Sequence, residues 1–295
     1  MSFTAKDVAN LRGMTGAGMM DCKKALVETN GDIDEAVAFL RKKGIASAAK
    51  KAGNVAAEGL LAGRVSEDGK FGVIVEVNSQ TDFVAKNDNF VNFVNQVADI
   101  ALANKTTNIQ DLLNADCNGK KLEEAAVEQT AKTGEKVDVR RVSAVEVTEG
   151  TVGLYVHPVG SKIASLIALG GADTTADKAV DLAMHIAASA PAPEFKTRNE
   201  IPAETIEAEK KIESQKEDLA GKPAEIVEKI VTGRVDKLLA SKVLVEQAFI
   251  KDPNQKVSQY LGSAEVTDFV RMNLGEGIEK KEDNFADEVA AMTAN

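Results

Sequence analysis

Asp82 and Phe83 stand side by side within the stretch Glu76-Val77-Asn78-Ser79-Gln80-Thr81-Asp82-Phe83-Val84-Ala85-Lys86-Asn87. A carboxylate beside an aromatic, with the polar groups of Gln80 and Thr81 just before, is the chemistry of recognition: a rigid apolar anchor oriented by a charge. Aromatics are scarce here, with ten Phe, two Tyr and no Trp. Phe39, Phe71, Phe90, Phe93, Phe269 and Phe285 fall on periodic apolar faces, and Phe83 does not. Two readings stay open. Phe83 fills a gap beneath its own loop, or it faces outward as a protein-binding anchor.

Catalytic chemistry finds less support. Gly16-Ala17-Gly18-Met19-Met20-Asp21 begins like a dinucleotide fingerprint but lacks the last glycine and a preceding strand. No G-x-x-x-x-G-K-[ST] loop is present. The two histidines, His157 and His185, form no HExxH and no zinc set with Cys22 and Cys117. Neither has a Ser or Cys at a nucleophile elbow. His185 reads as a packed or rim residue of a helix, and His157 lies at a strand end beside Pro158. The expectation is a protein without catalytic residues, metal or cofactor of its own.

The elements around Phe83 are legible. Phe71 to Val77 is a β-branched run after the turn signal Glu67-Asp68-Gly69-Lys70, so it is a strand, paired with Leu61 to Val65 in a hairpin. Phe90, Phe93, Val94, Val97 and Ile100 have helical spacing after the N-cap types Asn87 and Asp88. Phe83 is therefore expected on a short loop between a strand and a helix. A second helix near Leu122–Thr133 and a strand over Val137–Val147 come next.

Residues 1–44 read as three short helices. Thr4 with Asp7 resembles a capping box. Met19 to Thr29 carries Met19, Cys22, Ala25 and Leu26 at helical spacing and stops at Asn30-Gly31. Asp32 caps a third helix, with Gly44 as its stop, and Ile45–Gly53 is a helical linker. Met19 and Met20 cannot both face inward, so one is expected at the surface as adaptable contact area.

Strand, turn, strand, helix then recurs: Val152–Val156, Pro158-Val159-Gly160, Ile163–Leu169 and Thr175–Ala188. The order suggests duplication of one α/β unit. The second copy has Gly170-Gly171-Ala172-Asp173-Thr174 where the first has Gln80-Thr81-Asp82-Phe83, so the unit does not need the aromatic. After Pro191 and Pro193, runs over Ala203–Leu219 and Pro223–Leu239 form an antiparallel helical hairpin, expected to have little core of its own. Val266 to Leu274 is a strand completing the second sheet, and Phe285, Val289 and Met292 form a terminal amphipathic helix behind a Gly275-Glu276-Gly277 hinge.

Whole-chain properties bound the function class. At 295 residues, two or three domains are expected, and 44% hydrophobic content supports real cores. A formal charge of −10 argues against nucleic acid or an anionic membrane as partner. Two distant cysteines indicate a reducing compartment. With neither a signal or transit peptide nor an apolar run long enough to span a bilayer, a cytoplasmic location is expected.

Four motifs add a family resemblance: residues 15–26 (Thr15-Gly16-Ala17-Gly18-Met19-Met20-Asp21-Cys22-Lys23-Lys24-Ala25-Leu26), residues 49–59, Glu76 to Lys86, and Gly275-Glu276-Gly277-Ile278-Glu279-Lys280. Over essentially the whole chain they closely resemble the bacterial elongation factor Ts family, the guanine-nucleotide exchange factors of elongation factor Tu. The resemblance implies an α+β fold. A ubiquitin-associated-like N-terminal domain and linker would span 1–54 and a first core subdomain 55–148. A second subdomain would use 149–190 and 241–274, a helical-hairpin (coiled-coil) insertion 191–240, and a C-terminal helical module 275–295.

It further implies that Thr81, Asp82, Phe83 and Val84 enter between two helices of the GTPase and disturb its Mg²⁺ site. Arg12, Met19 and Met20 match positions facing the GTPase domain, and His157 and Ile250 match a contact with another domain of the partner. His157-Pro158 departs from the His-Gly of some relatives, and Lys251 stands where Met can occur. Residues 104–135 and the hairpin match least well, the hairpin being a candidate contact for a dimer of heterodimers. The competing class is a passive adaptor or chaperone-like binder that recognises its partner through the N-terminal bundle.

Overall fold

The computed structural model describes residues 3–279, a mixed helix-and-sheet chain. The terminal helix expected around Phe285, and with it most of the C-terminal module, lies outside the described residues.

Three helices open the chain: α1 (Ala5–Thr15), α2 (Met19–Glu28) and α3 (Ile33–Lys51). Thr4 and Asp7 form a reciprocal capping box, because each satisfies an orphan donor of the other at the helix start. Val8, Leu11, Cys22, Ala25, Leu26 and Ala36 make the small core. Gly44 does not stop the third helix as the sequence led us to expect. α3 runs on through it and absorbs the linker. Tertiary packing overrides the weak helix propensity of glycine, since a Cβ at Gly44 would stand 3.0 Å from that of Ala131.

The first sheet has the order β1 (Glu58–Val65), β2 (Phe71–Ser79), β3 (Asp138–Glu146), all antiparallel. Between β2 and β3 come α4 (Asp82–Ala85), α5 (Asp88–Ala103), α6 (Ile109–Asn114) and α7 (Leu122–Thr133). The second sheet has the order β4 (Thr151–Val156), β5 (Ile163–Gly171), β8 (Ala264–Asn273). Between β5 and β8 lie α8 (Ala176–Ala188), α9 (Ala203–Ser214), α10 (Ala224–Lys242), the short ribbon β6 (Ala248–Phe249) and β7 (Asp252–Lys256), and α11 (Val257–Leu261).

The sheets pack face to face through Leu61, Ile74, Val145, Val152, Leu166 and Met272. α5 covers the far face of the first through Phe90, Phe93, Val94 and Val97, and α8 the far face of the second through Ala179, Leu182, Ala183 and Ile186. Four layers result, and β2 is buried along its whole length. Close approach of the sheets requires glycine at 72, where a Cβ would fall 2.6 Å from Val152 Cγ1 and 2.8 Å from Leu166 Cδ2.

The two sheets are alike in detail. β2 and β5 are nine residues each, and their registers with β3 and β8 slip at the same point, between Glu76 and Val77 and between Ala168 and Leu169. The connections from strand to helix differ. Residues 80–86 separate β2 from the Asn87 cap of α5, whereas residues 172–174 separate β5 from the Thr175 cap of α8. α4 is the extra piece.

Two further expectations are corrected. The hairpin α9–α10 does have a core, built from Ile201, Leu219, Val231, Val235, Leu239 and Val243 with Phe195 and Ile206 packed on it. Several of these residues come from the flanking segments, outside the helical periodicity. The Gly275-Glu276-Gly277 segment is pinned to the first sheet instead of forming a free hinge. The Gly275 N–H donates to Glu76 Oε1 at 3.0 Å, and Arg140 and Arg141 bridge Glu76 to Glu276. Gly275 has a left-handed φ of 72° and a position where a Cβ would lie 2.7 Å from the Ala57 carbonyl oxygen.

Candidate functional site

Gln80 and Thr81 leave the end of β2 in the grip of the α7–β3 connection. Gln80 Oε1 accepts from the Lys136 N–H at 2.8 Å and from Asn54 Nδ2 at 3.3 Å. Thr81 donates its N–H and its hydroxyl to the two oxygens of Glu135, at 2.9 and 2.8 Å. The left-handed C-cap at Gly134 (φ 74°) turns the chain out of α7 just before Glu135. Ser79 Oγ donates to the Thr81 carbonyl at 2.9 Å, and Thr81 Oγ1 accepts from the Val84 N–H at 3.4 Å as the N-cap of α4.

The expected loop is thus one helical turn. Ala85 is buried and Val84 packs against the α5–β2 core, which fixes the opposite side of the turn toward solvent. Phe83 is on that side and is 81% exposed. The gap-filling reading of this ring is excluded for the chain by itself. Asp82 pairs with Lys86 one turn later, Nζ to Oδ2 2.6 Å, and that hydrogen bond holds its carboxyl below the ordinary range. The turn therefore presents a bare aromatic ring beside a carboxylate that is ionised at neutral pH.

The bundle reaches the neighbourhood of this turn. Gly16, between α1 and α2, would place a Cβ 3.1 Å from Lys132 Cε of α7. Gly16 also lines a hollow of about 310 Å³ with Asn87, Asn89, Asn92 and Lys132, next to α4. Arg12 is exposed, and so are both Met19 (44%) and Met20 (72%). The sequence led us to expect one of the pair inside, but Cys22, Ala25 and Leu26 already fill the small core on α2. Met14, not singled out from the sequence, is also exposed; it borders a cleft of about 690 Å³ between the bundle and α7.

His157 and Ile250 occupy separate turns, β4–β5 and β6–β7, and both are exposed. They share a root. Tyr155, whose hydroxyl lies 3.0 Å from His157 Nδ1, packs on the same core cluster that buries Phe249, the neighbour of Ile250. Val159, in the turn with His157, is exposed as well and was missed.

The residues behind these side chains were not legible as functional: Glu135 beneath Thr81 and His185 behind Ile250. Nor was Glu76, which pins the Gly275 segment. Glu76 is fully buried. Burial opposes its ionisation, but the Gly275 N–H and the guanidinium groups of Arg141 and Arg140 outweigh it and hold the carboxyl below its ordinary value. Among the described residues no cluster of His, Cys, Asp and Glu could hold a metal ion, and no helix is long and apolar enough to cross a membrane. Cys22 and Cys117 are both free and buried.

Comparison with known proteins adds to this geometry. The profile of the family described as elongation factor TS matches residues 80–276. The chain is 48% identical over 293 residues to the elongation factor Ts of Alkalilimnicola ehrlichii, covering 99% of this chain and 98% of that one. It is 48% identical over 297 residues to that of Hydrogenovibrio crunogenus, covering 100% and 99%, and 48% identical over 294 residues to that of Methylococcus capsulatus, covering 99% and 98%. With a profile match over most of its length and such identity from end to end, the chain belongs to the elongation factor Ts family.

Proposed function

We propose that the chain is the guanine-nucleotide exchange factor of elongation factor Tu and that it works through Phe83. Family membership supports the first half. The observation that carries the second is a ring 81% exposed on a helical turn that is clamped from below. An aromatic left in water on a rigid mount is matched to a pocket elsewhere, and burying it supplies roughly 1.5–3 kcal/mol.

In this reading the Thr81–Val84 turn enters between two helices of the GTPase, with Phe83 as the wedge and Asp82 as the charge that orients it. Mg²⁺ bridging nucleotide phosphates is held by few protein ligands, so shifting one helix releases it and weakens the phosphate site. Linkage makes the effect reciprocal: a factor that binds the empty GTPase more tightly is itself weakened by nucleotide in the same ratio. Either nucleotide leaves faster, and the cellular excess of GTP sets the direction. Arg12, Met19 and Met20 form a second contact with the GTPase domain, and His157 and Ile250 a third with another domain. The units responsible are the bundle (1–54), the first subdomain (55–148) and the second (149–190 with 241–274), carrying the 191–240 hairpin.

The exposed Met19 and Met20 favour a second reading, a passive binder recognising its partner through the bundle. One experiment separates the two. Stopped-flow release of a fluorescent GDP analogue from elongation factor Tu slows with Phe83→Ala in the wedge reading and is never accelerated by wild type in the passive one.

A further inference from the structure

Ile250 turns its side chain to solvent, yet its backbone N–H points inward and donates to Nδ1 of His185 at 3.2 Å. His185 lies on α8 and is 1% exposed. Its other nitrogen, Nε2, is 2.9 Å from Gln247 Oε1. The surrounding hydrogen bonds fix the tautomer. Gln247 Nε2 donates to the carbonyls of Ser241 (2.6 Å) and Pro191 (3.0 Å), so the amide oxygen must face the imidazole. Nε2 then carries the proton and Nδ1 is a bare acceptor, as the Ile250 N–H requires. The Ser189 hydroxyl, also near the ring, donates to the His185 carbonyl at 2.7 Å.

The residues flanking Ile250 are held by the same group of elements. The Phe249 ring stacks on Tyr260 at 4.1 Å and tilts against His185 at 5.9 Å. Lys251 pairs with Asp181 of α8, which also accepts from the Tyr260 hydroxyl at 2.9 Å. The Ile250 turn is thus mounted on α8, and through Gln247 it is tied to Pro191 and Ser241, where the α9–α10 hairpin leaves and rejoins the sheet domain.

We infer that His185 is a positioning residue for the second-subdomain contact, its neutral Nε2–H ring setting the Ile250 amide and so the direction in which the Ile250 side chain meets the partner. This rests on the reading of Ile250 as a contact with elongation factor Tu. Burial lowers the affinity of His185 for a proton, with only the Gln247 bond opposing. Of the charged and titratable groups on the elements around it, Asp181 and Lys251 pair with each other, Tyr260 bonds Asp181, Glu246 pairs with Arg198, Lys178 with Asp173, Arg271 donates to the Ala187 carbonyl, and Asp252 accepts from Asn254; Asp177 and Lys256 are exposed. A proton added at Nδ1 would face the Ile250 N–H donor to donor. The mount therefore holds at the ordinary imidazole value of about 6.5 and loosens only at a pH below it, because burial delays the proton.

The test measures the affinity of the full chain for elongation factor Tu with I250A, H185Q, H185N and the I250A/H185Q double variant. H185Q leaves the Ile250 N–H without its acceptor, whereas H185N places a carbonyl oxygen near the position of Nδ1. I250A is expected to weaken the complex, and H185Q to weaken it roughly three- to tenfold. The double variant should be no weaker than I250A alone, and H185N should restore most of the loss. Exchange protection of the Ile250 amide should vanish in H185Q and persist in H185N. Lowering the pH well below the ordinary imidazole value of about 6.5 should weaken wild type relative to H185N. Unchanged affinity with I250A removes the contact reading and the role of His185 with it. A weakened I250A beside a wild-type H185Q, or full additivity in the double variant, overturns the positioning role alone. Should H185Q fail to fold, an H185A variant that binds as tightly as wild type beside a weakened I250A overturns it, because alanine also removes the acceptor of the Ile250 N–H.

Discussion

Glu135 holds Thr81 at two points, its carboxylate oxygens receiving the threonine N–H at 2.9 Å and hydroxyl at 2.8 Å. One residue caps α4 and the other leads out of α7, so the turn that carries Phe83 is fixed to the end of a helix distant from it in sequence. Glu135→Ala should loosen that mount without dissolving the fold. We expect nucleotide release from elongation factor Tu to be accelerated roughly three- to tenfold less than by wild type, while global stability falls by only about 1 kcal/mol. Stopped-flow release and denaturant unfolding on the same preparations check the two halves. Glu135→Gln, which keeps one acceptor oxygen, should fall between.

That pair also marks where sequence reading ends. Caps and turns are local, so the Thr4–Asp7 box, the Asn87 cap and the Asp68-Gly69 hairpin turn could be read from neighbouring residues. The repeat could be read because two hairpin-and-helix patterns share one order, and their difference pointed to Phe83. Glu135 and Thr81 are far apart in sequence, and nothing near Glu135 distinguishes it from a solvated carboxylate. Gly44 carried a helix-stop signal that packing against Ala131 overrides. The hairpin core draws on Ile201 and Val243, outside the helical periods that were counted.

Glu76 supplies an acid-stability prediction. Its native carboxyl is held below the ordinary value, with burial opposed by the Gly275 N–H and by Arg141 and Arg140. The unfolded chain therefore binds this proton more readily than the native one. The contribution is present above the unfolded value of about 4.3 and is lost as the pH falls below it. At pH 7 Glu76→Ala should destabilise by about 3 kcal/mol, the lower end for a broken buried pair because both arginines reach solvent. Urea titrations at neutral pH and near pH 3.5 should show the gap between variant and wild type narrowing on acidification (about 4.3 being the dividing value).

Met20 and Leu11 lie in the same small bundle and should respond in opposite ways. Met20 is exposed and Leu11 fully buried. Met20→Ala should weaken the complex with elongation factor Tu and leave the melting temperature unchanged. Leu11→Ala should lower stability by about 2–5 kcal/mol. Calorimetric binding and thermal melts of both variants distinguish a contact residue from a core residue.

The central claim is that a fixed, solvent-facing ring does the prising, and Phe83→Ala tests it most directly. With the factor below saturation, the rate at which elongation factor Tu releases a fluorescent GDP analogue should fall about tenfold or more, the size expected from removing a hot-spot aromatic. The melting temperature should stay at the wild-type value, because the ring touches little of its own chain. An unchanged release rate from a folded Phe83→Ala protein would contradict the account.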